Sequence, residues 1–305
     1  MKSHEWSAIR EQFDQYGVEG QCKFKICLDL TLYFDGRFRE NADGILHFYQ
    51  QCLKLIEKDI KFFDVDGKNK FKKIKSDTLD LLPYWTTAEA EARDIYGLKL
   101  ESGQTKEDVS DRAFHMYRGR LNPGYVRLIV PLEYASDSAQ SFVLVAKNAA
   151  DRLRFISGHG GYSTNMTSDY ESQQESGHVY ALSRRYQGVD FDIPRSFARF
   201  MKDGIKGINW LTFLGESLVA KLGGKEELKA KLSKELSFHE LQHGIMVQAG
   251  PEPQLGDVNR KERLAKYHEV GKVLRSLRIP DEVLRNYNGI GGTENTKEWL
   301  NRFFQ

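Results

Sequence analysis

The sequence has little net charge and no long apolar run. Its 45 lysine and arginine residues nearly balance 43 aspartate and glutamate residues, so the formal net charge at pH 7 is only +2. Such a balance provides no global attraction to nucleic acid or to an anionic membrane. No stretch reaches the ~18 apolar residues that a membrane-spanning helix needs. The N-terminus, MKSHEWSAIREQFDQ, lacks the apolar segment of a secretory signal. We therefore predict a cytoplasmic protein.

Cysteine is also scarce, with three residues in a chain of 305. Cys22, Cys27 and Cys52 are odd in number and do not have the spacing of metal ligands. We therefore predict buried free thiols in a reducing compartment.

Hydrophobic periodicity indicates both strands and helices. The alternation in KFKICLDLTLYF (23–34) predicts a half-buried strand, and the spacing over 41–60 predicts an amphipathic helix. Elements of the two kinds follow one another without strict alternation, so we predict an α+β fold. Its sheet should be mixed and largely antiparallel, with helices packed against it. We expect one domain over 1–305, in which two halves of similar size can share one core. The alternative is a subdivision into 1–110 and 111–305.

The sequence also predicts the local structure of several segments within or beside the sheet. Residues 79–96 predict a mostly helical stretch, and the polar residues 99–111 predict an exposed linker or loop. Pro131 favours an edge position or a bulge for the strand over 125–134. The glycines of FISGHGGYSTNM (155–166) favour an interrupted strand that packs closely beside a neighbour.

The run DGIKGINWLTFLG (203–215) predicts a short buried strand around Trp210. Asn209 is the one amide in this apolar stretch, and a buried amide is costly unless it is hydrogen-bonded. We expect its partner to be neighbouring backbone.

The sharpest catalytic pattern is HELQH at 239–243. On a helix, His239 and His243 would share a face and bind zinc, and Glu240 would polarise a bound water. The strand-like GIMVQA (244–249) follows at once, so the helix can already have ended. A third ligand would have to come from further along the chain, where Glu262 and Glu269 are candidates. A zinc-dependent hydrolase is therefore an alternative function.

Charge is uneven locally. Eight lysines lie between residues 54 and 75, and acidic residues predominate between 89 and 111. Solvated faces explain both by default, and the lysines also allow a weaker hypothesis of nucleic-acid binding. An acidic surface can, however, meet the basic cleft of a nucleic-acid-binding protein. The candidate partner-binding residues form two groups: Glu89, Glu91 and Asp94, and Glu107, Asp108 and Asp111.

Three segments together resemble a known family. YALSRRYQGVDFD (180–192), GIKGINWLTFLG (204–215) and VQAGPEPQLGDVNR (247–260) are similar to the TsiV family of bacterial type VI secretion immunity proteins. That family is named for protection against effector toxins with a VRR-NUC nuclease domain. LDLTLYF (28–34) and SGHGGYS (157–163) extend the likeness more weakly to nearly the whole chain. These motifs maintain a fold, so they indicate kinship without marking a catalytic site.

The resemblance implies a non-enzymatic antitoxin in a protein–protein complex. It would bind a cognate nuclease effector and block the DNA-binding surface or active site of that effector. It implies no catalytic residue, metal or cofactor, and no direct contact with nucleic acid or membrane. HELQH is not a motif that the resemblance carries over. The identity of the effector is not inherited either, because specificity between cognate pairs depends on variable surface side chains.

Overall fold

Eleven strands of the described residues form one sheet, and every neighbouring pair in it is antiparallel. The computed structural model describes residues 3–120, 123–167, 170, 177–191, 193–284 and 289–305. The strands are β1 (Gln15–Tyr16), β2 (Cys22–Phe34), β3 (Phe62–Val65), β4 (Lys72–Lys73), β5 (Tyr96–Glu101), β6 (Ala113–Arg118), β7 (Gly124–Val130), β8 (Phe155–Met166), β9 (Leu211–Gly215), β10 (Ser237–Leu241) and β11 (Gly244–Gln248). Their spatial order is β10-β11-β9-β8-β2-β7-β6-β5-β3-β4, with β1 beside β2.

Helices pack against this sheet, and the prediction of an α+β fold is confirmed. The described helices are α1 (Ser3–Phe13), α2 (Ala42–Ile56), α3 (Leu81–Thr86), α4 (Glu133–Ala150), α5 (Gly177–Arg185), α6 (Pro194–Ala198), α7 (Glu216–Lys221), α8 (Lys225–Lys231), α9 (Ala265–Leu274) and α10 (Thr293–Asn301). Helix α2 lies against β6, β7 and α4, and α6 lies against β7. Within the described ranges, no helix has the length and apolarity needed to cross a membrane.

The central strand β2 is buried on both faces, although its alternating sequence predicts a half-buried strand. Leu28, Leu30 and Leu32 share one face, as expected from a period of two residues. The opposite face carries Asp29 and Thr31, which are 1% and 0% exposed. The alternating sequence of β2 therefore separates an apolar face from a face that carries polar side chains, and both faces are buried. The polar side chains here are covered by segments that lie far along the chain.

Strand β8 is continuous, so the prediction that its glycines interrupt it is wrong. It pairs with β2 from Phe155 to Met166. The glycines instead permit close approach: a Cβ at Gly158 would lie 2.5 Å from the carbonyl oxygen of Thr31. Gly161 has φ +152°, and a Cβ there would lie 3.3 Å from Cβ of Trp210. Close packing beside the Trp210 segment is thus confirmed.

Other boundaries differ from the sequence prediction. The helix expected over 79–96 is confined to α3 and a short 3₁₀ turn before it. The polar stretch 99–111 begins inside β5, and its remaining residues lie in the loop that connects β5 to its neighbour β6. Pro131 follows β7, which lies between β2 and β6, so this strand is not an edge strand. In the Trp210 stretch only Leu211–Gly215 is strand.

Most buried apolar side chains of the described residues belong to one cluster, which extends from Trp6 to Phe304. The three cysteines are free and buried, as predicted. A single domain over 1–305 remains a prediction, and the continuous sheet is consistent with it.

Candidate functional site

The HELQH motif lies on a β-hairpin, not on a helix. His239 and Glu240 belong to β10, and His243 lies in the turn before β11. Nε2 of His239 lies 3.0 Å from the Oε1 of Gln248, and Glu240 pairs with Lys225 at 3.3 Å. Side chains four residues apart share a face on a helix, but that geometry requires the helix that is absent here. The zinc-site geometry expected for His239, Glu240 and His243 is therefore wrong. Across the described part of the chain, no three His, Cys, Asp or Glu side chains converge as metal ligands.

The first acidic group lies in the segment between α3 and β5. Glu89, Glu91 and Asp94 are exposed, and Asp94 pairs with Arg120 at 3.0 Å. Asp94 also lines a cavity of about 360 Å³ whose charged side chains are otherwise basic: Arg37, Arg39, Arg93, Arg118 and Arg120. Positive and negative side chains are therefore mixed around Asp94. Glu89 and Glu91 are exposed carboxylates that a partner could contact.

The second acidic group lies in the loop after β5. Asp108 accepts hydrogen bonds from the backbone N–H groups of Cys22 and Thr105, both at 2.8 Å, and Asp111 pairs with Lys25 at 2.7 Å. These two carboxylates hold the loop against β2. Only Glu107 is exposed without such a long-range contact. The two groups flank β5 in the chain, and this strand of six residues is roughly 17 Å long at strand spacing.

A buried layer of charged and polar side chains covers the second face of the sheet. We define this polar layer as Asp29, Arg127, His159, Asp190, Lys206 and Asn209, each no more than 4% exposed. Nε of Arg127 donates to Asp29 at 2.9 Å, and Nζ of Lys206 donates to Asp190 at 2.8 Å. The sequence analysis did not find this layer. The available signal was polar residues inside apolar runs, namely Asp29 and Asn209.

Asn209 is satisfied by a carboxylate, not by neighbouring backbone as expected. Its Nδ2 donates to Oδ2 of Asp190 at 3.0 Å, and its backbone N–H donates to Oγ1 of Thr212 at 3.2 Å. The two ion pairs are joined because Arg127 also donates to the carbonyl oxygen of Thr164, whose backbone N–H donates to the carbonyl oxygen of Asp190.

The polar layer connects two of the three segments on which the family resemblance depends, and contacts beside it join the third. Asp190 comes from 180–192, and its partners Lys206 and Asn209 come from 204–215. Two further contacts join segment 247–260 to them: Arg185 pairs with Asp257 at 2.9 Å, and Nε1 of Trp210 donates to the carbonyl oxygen of Gly250 at 2.9 Å. These contacts fix the relative positions of the segments.

The electrostatics of the polar layer are those of a structural network. Burial alone would raise the pKa of Asp190, but the neighbouring groups, of which Lys206 lowers the pKa most, together outweigh burial and hold that pKa well below its usual range. Burial, assisted by Lys206, lowers the pKa of His159 to about 3, so the imidazole is neutral at pH 7. Burial raises the pKa of Asp29 to about 6 although Arg127 opposes it. The ion pairs and hydrogen bonds of the polar layer hold distant segments of the fold together. Because these side chains are buried, a large partner cannot contact them.

Comparisons with known proteins bear on the fold and the family of this chain. No curated protein matches the chain significantly. Among solved structures, the Pseudomonas aeruginosa T6SS protein PA0821 has a similar fold, with a TM-score of 0.82 and 19% identity over 99% of this chain and 90% of that one. At this identity the likeness establishes the fold alone. The family described as type VI immunity for VRR-NUC matches residues 44–303, which include all three resembling segments. The chain therefore belongs to the TsiV family.

Proposed function

We propose that this chain is an immunity protein that binds a cognate type VI effector with a VRR-NUC nuclease domain and neutralises it. The observation that carries the proposal is membership of a family described as type VI immunity for VRR-NUC, matched over 44–303. The protein acts by stoichiometric binding in the cytoplasm and not by catalysis. It blocks the DNA-binding surface or the active site of the effector.

In this proposal, exposed carboxylates of this chain attract a basic surface of the effector. A nuclease that binds DNA presents a basic surface, since phosphate neutralisation dominates DNA affinity. Exposed carboxylates can steer such a surface into an encounter. Glu89, Glu91 and Glu107 suit this role best, because Asp108 and Asp111 are engaged in holding their own loop. Asp94, paired with Arg120, contributes less.

Co-expression tests the proposal. The VRR-NUC effector encoded beside this gene should arrest growth of a host cell when produced alone. This chain should restore growth and co-purify with the effector. An unrelated nuclease of the same fold is the specificity control and should remain toxic. Continued arrest with no co-purifying complex, although this chain is produced and folded, would refute the proposal.

The double reversal Glu89→Lys/Glu91→Lys tests the contact surface. We expect association with the effector to slow by about tenfold at low salt, since steering charges act mainly on the association rate. The matched control, Glu11→Lys/Glu19→Lys, makes the same charge change at two exposed positions elsewhere. Stopped-flow association at two salt concentrations separates the variants. Equal rates for both would place the contact outside this acidic group.

A further inference from the structure

A groove of about 660 Å³ opens on the sheet where β3, β4 and β5 lie. Part of its floor is set by strand register. Lys99 lies opposite His115, which in turn lies opposite Arg127, so the three side chains are aligned across β5, β6 and β7 on one face. The groove walls come from residues 69–72 and 105–109. Its volume is within the ~300–1,000 Å³ range of small-molecule sites.

The groove continues inward toward the polar layer. A smaller cavity of about 30 Å³ shares Lys99, His115 and Asn165 with it and is also lined by Arg127 and Arg195. The side chains that line the inner end therefore include two guanidinium groups.

Lysine predominates among the described side chains that line the groove. The five lysines are Lys23, Lys70, Lys72, Lys99 and Lys106. Lysines on an edge strand such as β4 hinder pairing with other chains. That role accounts for Lys72, but it does not require Lys99 on an inner strand or Lys106 on the opposite wall.

The acidic side chains of the groove are already engaged. Glu101 lies 2.5 Å from Nε2 of His115, and Asp108 accepts from backbone N–H groups. Glu107 lies 3.5 Å from Lys106. The backbone N–H of Lys70 donates to Asp64 at 2.8 Å. Within the described ranges, the structure gives no carboxylate partner to the ammonium group of Lys70 or Lys72, so these two side chains add positive charge to the groove.

Apolar surface lies beside these charges. Phe71 is partly exposed on the wall between Lys70 and Lys72, and Phe62 also lines the groove. A lysine ammonium is a strong binder of phosphate as a point charge. An aromatic ring can stack with a nucleobase. The groove thus offers partners for both parts of a nucleotide.

We propose that this groove binds a phosphate-bearing ligand of nucleotide size, with its phosphates at Lys70, Lys72 and Lys99 and its flat ring against Phe71. Glu89 and Glu91 do not line this groove, whereas Glu107, the third residue proposed to meet the effector, lies on its wall. The proposal does not depend on the immunity function. The proposal concerns a small molecule. Binding of an acidic polypeptide is the competing possibility.

Calorimetric titration of the intact chain at low salt tests the proposal, with ATP, adenosine and hexaglutamate as probes. We expect ATP to bind at one molecule per chain. Adenosine should bind at least about tenfold more weakly, because it lacks the phosphates that would accept charged hydrogen bonds from the lysines. Lys70→Ala/Lys72→Ala should weaken ATP binding by about tenfold or more on the same basis. Both lysines are exposed or at the rim, so thermal unfolding should be unchanged.

The matched control is Lys54→Ala/Lys58→Ala, which removes the same charge from exposed positions outside the groove. This control should bind ATP as the unaltered chain does. The proposal is overturned if millimolar ATP does not bind, or if both double variants lose equal affinity. It is also overturned if hexaglutamate binds as tightly as ATP, since the groove would then recognise acidic polypeptide.

Discussion

Replacing Lys206 by methionine tests whether the polar layer stabilises the fold. Lys206 and Asp190 are 3% and 1% exposed, and their charged atoms lie 2.8 Å apart. Methionine keeps much of the side-chain length but removes the charge, so the carboxylate of Asp190 stays buried without its closest counter-ion. Removing one partner of a buried pair typically costs ~3–5 kcal/mol. We expect the free energy of unfolding at pH 7 to fall by about that amount.

The variant should also respond differently to pH. In the unaltered chain the pKa of Asp190 is below its ordinary value of 3.8, because Lys206 and the other groups around this carboxylate together outweigh the effect of burial. Its stabilising contribution is therefore complete above that value and is lost as the pH falls through the lower folded-state pKa. Without Lys206 the largest effect that opposes burial is gone, so we expect burial to raise the pKa of Asp190 above its unfolded value. A carboxyl of that kind favours folding as the pH falls, so the deficit should shrink from about pH 7 to about pH 5.

Urea unfolding followed by circular dichroism at both pH values measures these effects. The control is Lys231→Met, which removes one partner of an exposed i, i+4 pair with Glu227 at 2.6 Å. Exposed pairs of this type contribute ~0.3–0.5 kcal/mol. A loss for Lys206→Met that is no larger than the control, or a deficit that grows on acidification, would refute the assigned role of the layer.

Two other changes probe separate parts of the structure. A Cβ at Gly188 would lie 2.0 Å from the carbonyl oxygen of Gln254, so Gly188→Ala should lower stability by ~1–3 kcal/mol through overpacking. Gly207→Ala is its control, since the nearest atom there is 3.8 Å away, and equal melting temperatures for the two variants would contradict the argument. Because His239 and His243 lie on a hairpin, untagged protein should hold less than ~0.2 zinc per chain, where a structural or catalytic site would be near stoichiometric. Zinc that is stoichiometric and lost in His239→Ala/His243→Ala would overturn that conclusion.

Local hydrophobic patterns predicted where several individual strands and helices lie. The strand over 23–34 and the helix over 41–60 appear as β2 and α2 with shifts at their ends. The strand over 244–249 appears as β11. In β2 and α2 the repeat of apolar side chains matches the period of the element, and β11 is a short apolar run of strand length, so these elements can be located from the sequence alone.

Contacts between distant segments explain what the sequence did not reveal. Asp29 and Arg127 are 98 positions apart, and nothing near either residue identifies its partner. The same applies to HELQH, because pairing of His239 with Met246 in the hairpin decides the structure of that segment. A histidine repeat at helical spacing cannot by itself distinguish the two outcomes.

Titration of DNA cleavage tests the central claim most directly. The purified cognate VRR-NUC effector is mixed with increasing amounts of this chain, and cleavage of plasmid DNA is followed at each ratio. The immunity account predicts that cleavage falls linearly and stops near one chain per effector. Cleavage that continues undiminished at a large molar excess of folded chain would contradict it.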